Sequence, residues 1–290
     1  MLEPLPKILT YIFLISTMLA IGLTVTWPEI LTTLRDRRLM GRVLLANLFL
    51  VPLLGYLLIL AFPLSSGPKL AFALLALAPG GLKAIQFTDK VKGNLAFAGA
   101  AFFILSLLSI VLTPLLAKIL LPLETGLELP FLKIILFVLL CLLFPLLVGF
   151  EIRGRSGKVT DVLARIVLIV SNISFVATVL VTASVNRQAM GRIGVNALLA
   201  LLLLVVLSMV IGWWLGGPER ENRRVLAIAT SMRNAGLCLI ISMRAFPESD
   251  ADVTVIAFMG LMVTPNMLFT VYHTIRERRR QKRAFPPAKG

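Results

Sequence analysis

Two cations stand at positions where an apolar chain can least tolerate them. Lys83 follows Ala78-Pro79-Gly80-Gly81 in the stretch "LALAPGGLKAIQF", and Arg233 lies inside "RRVLAIATSMRNAGLCLIISMR". Arg233 stands nine residues after Arg224 and eleven before Arg244. At about 1.5 Å of rise per residue it is roughly 14 to 16 Å from either end of a helix. A charge at that depth in lipid costs about 2.5 to 3.5 kcal/mol on insertion scales, so Arg233 must face a protein interior or a wet cavity. Lys83 lies about 20 Å into a span that starts at Lys69, somewhat past the centre of a ~30 Å hydrocarbon core. Its long stem leaves two readings open: it snorkels towards Asp89 and the nearer surface, or it faces a site. Gly80 and Gly81 interrupt the first of these segments and Gly236 the second. Freed amide groups after such a break form a half-helix N-terminus, which favours anions. Neither segment has an Asp or Glu in its middle, so the expected site is positive and its ligand an anion.

The elements that must position these residues are membrane spans. The chain has 290 residues, 58% of them hydrophobic and 15% charged, with a mean hydropathy of +0.95. That is more apolar surface than a soluble core of this length can bury. Nine stretches reach the ~20 residues needed to span: 8–26, 43–62, 69–87, 95–121, 131–150, 161–184, 195–216, 224–243 and 252–274. The formal charge of +15 is distributed between these stretches, which points to topology and not to nucleic acid. One side of the membrane receives 20 Lys and Arg in its loops and tail, the other only Lys7, Lys69, Arg187, Arg192 and Arg244, with Lys118 and Lys133 near helix ends. The positive-inside rule puts the C-terminus in the cytoplasm and the N-terminus outside. This describes a multi-pass protein of the plasma (inner) membrane. The first apolar run is read as a retained span, because Glu3 precedes it and no small-x-small cleavage site ends it. The basic segment 275–290 is read as a cytoplasmic topology anchor, and His273 as an interfacial residue. Cys141 and Cys238 lie in apolar runs, with no disulfide or metal-ligand spacing.

The third and eighth spans are five helices apart and therefore run in opposite directions. Each is interrupted near its middle and carries one cation beside the interruption. Paired broken spans in antiparallel halves are the signature of an inverted-repeat transporter with its site at the midplane. Broken backbone at that depth survives only where protein or water satisfies it. An intramembrane enzyme would need a nucleophile with a base, or a metal set, and the sequence has one histidine and no HExxH. No cofactor is implied.

Four motifs in order, "MLAIGLTV", "LANLFLVP", "APGG" with "GN" fourteen residues after its proline, and "SMRNAGL", resemble the bile acid:sodium symporter family along nearly the whole chain. The resemblance implies an all-α membrane fold with two broken helices crossing at the membrane centre. A core domain (43–121 and 195–274) would move against a panel (8–26 and 131–184), all within one transporter unit. It also implies secondary transport of small organic anions.

In sodium-coupled members, Thr-Ala-Ser-Asn follows the Pro-Gly-Gly, and the Ser and Asn help to hold sodium. The aligned residues here are Leu82, Lys83, Ala84 and Ile85. A Ser and a Thr on the next helix align with Ala98 and Phe102, and the Glu shared by both sodium ions aligns with Ala229. A Gln ligand aligns with Asn47, which keeps a side-chain oxygen. The resemblance therefore implies lost sodium sites. The expected site is Asn47, Gly80, Gly81, Lys83, Arg233 and Asn234, with Lys83 and Arg233 standing in for two sodium ions and holding the crossed helices together. Transport would then be sodium-independent. Asn47 and Asn234 would orient Arg233 or bind substrate, or bond only to neighbouring helices, and Thr230 is read as structural. Two alternatives remain open: a non-transporting organic-anion sensor, and an oxyanion or metalloid exporter, for which Cys238 near the break is the one favourable feature.

Overall fold

The computed structural model of the chain describes residues 4–81, 83–120, 131–155, 157–247 and 249–284. Leu82, one of the aligned positions, and residues 285–290 of the basic tail lie outside them. The described residues are helical, without a sheet, and seven helices are long and apolar enough to cross a membrane. These are Leu5–Leu23, Arg37–Ala61, Leu95–Ala117, Ile135–Gly154, Val159–Val185, Val195–Leu215 and Ala251–Glu277. Of the nine expected spans, these seven are continuous enough to span alone. The other two are each in two pieces: Ser66–Leu77 with Lys83–Lys90, and Arg220–Ser231 with Ala235–Ala245.

The breaks fall where the sequence removes helix support. Pro79 cannot donate a backbone bond, and Gly80 takes φ +85°, a left-handed conformation that side chains with a Cβ rarely adopt. A Cβ on Gly80 would also stand 2.9 Å from the Ser106 amide nitrogen, so that residue must be glycine on two counts. The second break has no proline. Met232 is extended there, and Asn234 starts the next half-helix by accepting from the Leu237 amide at 3.2 Å.

Prolines inside spans are accommodated by a local device. A π-helical turn at Ala46–Leu50 precedes Pro52, and another at Leu139–Leu143 precedes Pro145. A widened turn relieves the clash between the proline ring and the carbonyl four residues back. The stretch 27–42, expected as a loop, instead contains the helices Trp27–Arg35 and Arg37–Leu45. The Glu29 carboxylate accepts from the Thr26 amide at 2.8 Å and closes the first turn. The tail expected from residue 275 is helical as far as Ala284, as part of Val263–Ala284.

Packing divides the helices into two groups. Pro4–Leu23 packs along Lys158–Val185 and Phe144–Gly154. A Cβ on Gly22 would stand 2.1 Å from the Leu146 carbonyl oxygen, and one on Gly149 2.4 Å from that of Leu19. These two glycines bring the backbones together, which is how helices associate in lipid without a hydrophobic drive. In the other group, Val51–Ala61 lies on Ser66–Leu77, and Val195–Leu215 on Arg220–Ser231. The broken segments lie in this second group, and Pro4–Leu23 and Lys158–Val185 reach across to it.

Candidate functional site

The two breaks meet. Pro79 and Arg233 form an isolated antiparallel bridge, and the Asn234 amide donates to the Ala78 carbonyl at 2.8 Å. The end of the half-helix Ser66–Leu77 leaves carbonyls that the helix itself cannot satisfy. Arg233 supplies most of the missing donors. Its Nε donates to the Leu75 carbonyl at 2.9 Å and its Nη2 to that of Ala76 at 2.6 Å. Thr113 donates its hydroxyl to the Leu77 carbonyl at 2.9 Å. The guanidinium thus caps the negative end of a helix dipole that belongs to the other half of the chain. Its Nη1 donates to Asn47 Oδ1 at 3.1 Å, and Asn47 Nδ2 is held by the Val43 carbonyl at 3.0 Å. The π turn ahead of Pro52 carries Asn47 to this point. Arg233 is 1% exposed, and a Cβ on Gly81 would stand 2.9 Å from its carbonyl oxygen.

Lys83 does not snorkel to a surface. It donates Nζ to Asn172 Oδ1, which also accepts from Gln86 Nε2 at 3.0 Å, and its ammonium sits 4.3 Å from the centre of the Phe175 ring. Asn172 and Phe175 belong to Lys158–Val185, so Lys83 joins a broken segment of the second packing group to the first. Among the described residues no carboxylate pairs with Lys83 or Arg233. With Arg233 buried and Lys83 half-buried, and no counter-ion among the described residues, the two cations leave a local excess of positive charge, which is the electrostatic condition for binding an anion.

A cavity of about 20 Å³ lies beside the crossing. Gly81, Lys83, Arg233 and Asn234 line it together with Thr17, and Phe13, Phe175, Met232 and Met262 form its apolar walls. Asn234 Nδ2 is buried and has no hydrogen-bond partner among the described residues. Gly80 and Asn47 are not among the lining residues: Gly80 shapes the break, and Asn47 acts through Arg233. Thr17 exchanges a hydrogen bond with Ser171 at 2.8 Å. The volume admits about one water and no organic ligand.

The positions that the resemblance assigns to sodium converge elsewhere. Ala84, Ala98, Phe102 and Ala229 are buried in one apolar cluster with Met232, and Ile85 packs against it. No side-chain oxygen comes from any of them. Asn47 is the exception and spends its oxygen on Arg233. Thr230 places its hydroxyl 2.8 Å from the Leu226 carbonyl and 2.7 Å from that of Ser208, a backbone role. Cys238 is fully buried in the apolar core and does not line the cavity.

Asn172, Gln86, Thr113, Thr17 and Phe175 are parts of this site that the sequence reading did not single out. Asn172 had a signal, as a lone amide in the apolar run "IVLIVSNISFV". Its partner could not be read from spacing, because it comes from 89 residues away.

The family described as Sodium Bile acid symporter family matches residues 11–194. A Bacillus subtilis (strain 168) protein, "Uncharacterized sodium-dependent transporter YocS", is 26% identical over 275 residues, covering 91% of this chain and 79% of that protein. A rice (Oryza sativa subsp. japonica) protein, "Probable sodium/metabolite cotransporter BASS2, chloroplastic", is 26% identical over 235 residues, covering 79% of this chain and 55% of that protein. The match to the rice protein thus spans little more than half its length.

Proposed function

The chain belongs to the sodium bile acid symporter family, a family of secondary transporters and not of enzymes, and from that premise we propose that it carries small organic anions across the membrane without sodium. Lys83 and Arg233 take the places of two sodium ions. The observation that carries this reading is the apolar cluster of Ala84, Ala98, Phe102 and Ala229. A bare cation there would lose its hydration shell and gain no side-chain oxygen in return, which is costly for a buried charge. Arg233 supplies a fixed positive charge and also the mechanical link between the crossed segments. Both relatives carry sodium in their names, and this proposal separates the chain from them in its coupling.

The two packing groups support reading residues 43–121 and 195–274 as a core that moves against a panel of 8–26 and 131–184. Each broken segment crosses the membrane as one interrupted span, giving nine passes in an inverted repeat, with the C-terminus in the cytoplasm, the N-terminus outside, and the plasma (inner) membrane as the location. In the cycle, core and panel separate at the Lys83–Asn172 contact and an anion enters. Its negative group displaces Asn172 from Lys83 and accepts from Asn234 Nδ2, while Phe13, Phe175, Met232 and Met262 enclose its apolar part. The loaded core then shifts and the contact re-forms on release.

The test is uptake into proteoliposomes from a pool of carboxylate, sulfonate and inorganic oxyanions, read by mass spectrometry, with wild type, Lys83→Ala and Arg233→Ala in parallel. The expected result is entry of a defined anion with wild type and its loss with both variants. Binding of an anion by wild type with no flux contradicts transport and favours a sensor. Flux of inorganic oxyanions alone favours an exporter of a different substrate class.

A further inference from the structure

A second cavity, about 160 Å³, opens where Val195–Leu215, Arg220–Ser231 and Val263–Ala284 meet. Four arginines line it, Arg220, Arg223, Arg224 and Arg276, with Trp213, His273 and Glu277. It is several times larger than the cavity at the crossing, and the residues of the two do not overlap. One carboxylate faces four guanidinium groups, and Arg224 already engages it: its Nη2 bonds Glu277, and its Nη1 donates to the Val91 carbonyl at 2.8 Å.

Topology alone does not account for this cluster. A positive-inside anchor works from water and has no need of a cavity. Arg224 is 5% exposed, and its Nε has no hydrogen-bond partner among the described residues. One wall is aromatic, with His273 tilted against Trp213 at 5.1 Å and against Phe269 at 4.4 Å, centre to centre. Trp214, next in sequence to the lining tryptophan, is 78% exposed. A tryptophan pair at a helix end marks the depth of lipid headgroups. Guanidinium groups pair with phosphate oxygens through two parallel hydrogen bonds, and basic pockets at helix ends suit phosphate-bearing headgroups.

We propose that this cavity is a phosphate-binding site, separate from the transport site, which takes the phosphate of an anionic lipid headgroup or of a soluble ligand. Arg220 and Arg276, both exposed at its mouth, capture the group, and Arg224 forms the charged floor. The proposal goes beyond the transport reading and does not rest on it.

Full-length protein in nanodiscs tests it in two arms. In one, phosphatidylglycerol is added to a phosphatidylcholine bilayer; in the other, inorganic phosphate is titrated into phosphatidylcholine discs. Thermal midpoint and ligand retention in native mass spectrometry are read for wild type, for Arg220→Gln/Arg276→Gln, and for Arg155→Gln/Arg165→Gln, which removes two exposed arginines elsewhere. We expect wild type to respond in at least one arm, and the arm that responds identifies the source of the phosphate. The cavity pair should weaken the response about tenfold or more, since hydrogen bonds between charged partners are lost, and the control pair should leave it unchanged. No response of wild type in either arm overturns the proposal, and so does an equal loss in both variants, which would mean attraction to a basic surface only.

Discussion

Arg233 combines a charge and a fork, and the two can be separated by substitution. Arg233→Met leaves the Ala76 carbonyl and Asn47 Oδ1 without the guanidinium donor, and the Leu75 carbonyl with only the Ala78 amide at 3.4 Å, and should lower stability by about 3 to 5 kcal/mol, the range for removing one partner of a buried charged arrangement. Arg233→Lys keeps the charge but cannot reach Leu75, Ala76 and Asn47 together, so its melting point in detergent should fall between the other two. Lys83 answers to a different substitution. Asn172→Asp places a fixed carboxylate on the ammonium, occupying the position proposed for the anion, and should abolish uptake. Asn172→Ala removes a competitor and should preserve uptake or lower the half-saturating concentration. Wild-type uptake by Asn172→Asp would separate Lys83 from the anion. The burial of Arg233 was legible in the sequence because a charge so far from either helix end is costly in lipid, whereas the reach of the lysine stem left the place of Lys83 open. The partners of the two cations were not legible, since a lone Asn172 or Thr113 in an apolar helix acquires its role only when another helix is brought against it.

The broken segments depend on a few backbone positions. Gly80→Ala must adopt a left-handed conformation and push against Ser106, so it should cost about 1 to 3 kcal/mol from strain alone and disturb the crossing. Loss of uptake with a lowered melting point is the expected pair of observations. Thr113→Val removes the donor to the Leu77 carbonyl together with the hydroxyl contact to Ser109 and should cost about 1 to 3 kcal/mol with the crossing kept. The breaks were readable, one from Pro79-Gly80-Gly81 and the other from Gly236, although the second turns at Met232–Asn234, before that glycine. Other features were present in the sequence but passed over. Thr26-Trp27-Pro28-Glu29 has the spacing of a helix start, yet 27–42 read as a loop because its charge dominated. The π turns at Ala46–Leu50 and Leu139–Leu143 have no sequence signature beyond Pro52 and Pro145 themselves.

At the scale of the whole molecule, a cavity of about 20 Å³ cannot hold an organic anion, for which pockets of roughly 300 to 1,000 Å³ are usual. On the transport reading proposed above, the packing groups therefore part to bind. In a background with Cys141 and Cys238 replaced, Gln86→Cys with Asn172→Cys should be bridged across the contact by a mercury reagent. Bridging should stop uptake and reduction should restore it; uptake that continues through a verified bridge would rule out separation at this contact. The seven long apolar helices and the two interrupted segments fall on the nine stretches that span length marks out, whereas which helix faces pack, on which the proposed movement depends, leaves no signature in spacing. The most direct measurement is the initial rate of anion uptake into proteoliposomes with sodium present on both sides and with choline replacing it throughout. Equal rates, both lost in Lys83→Ala, are what fixed cations at the crossing predict. A rate that collapses in choline and recovers with added sodium would contradict the account.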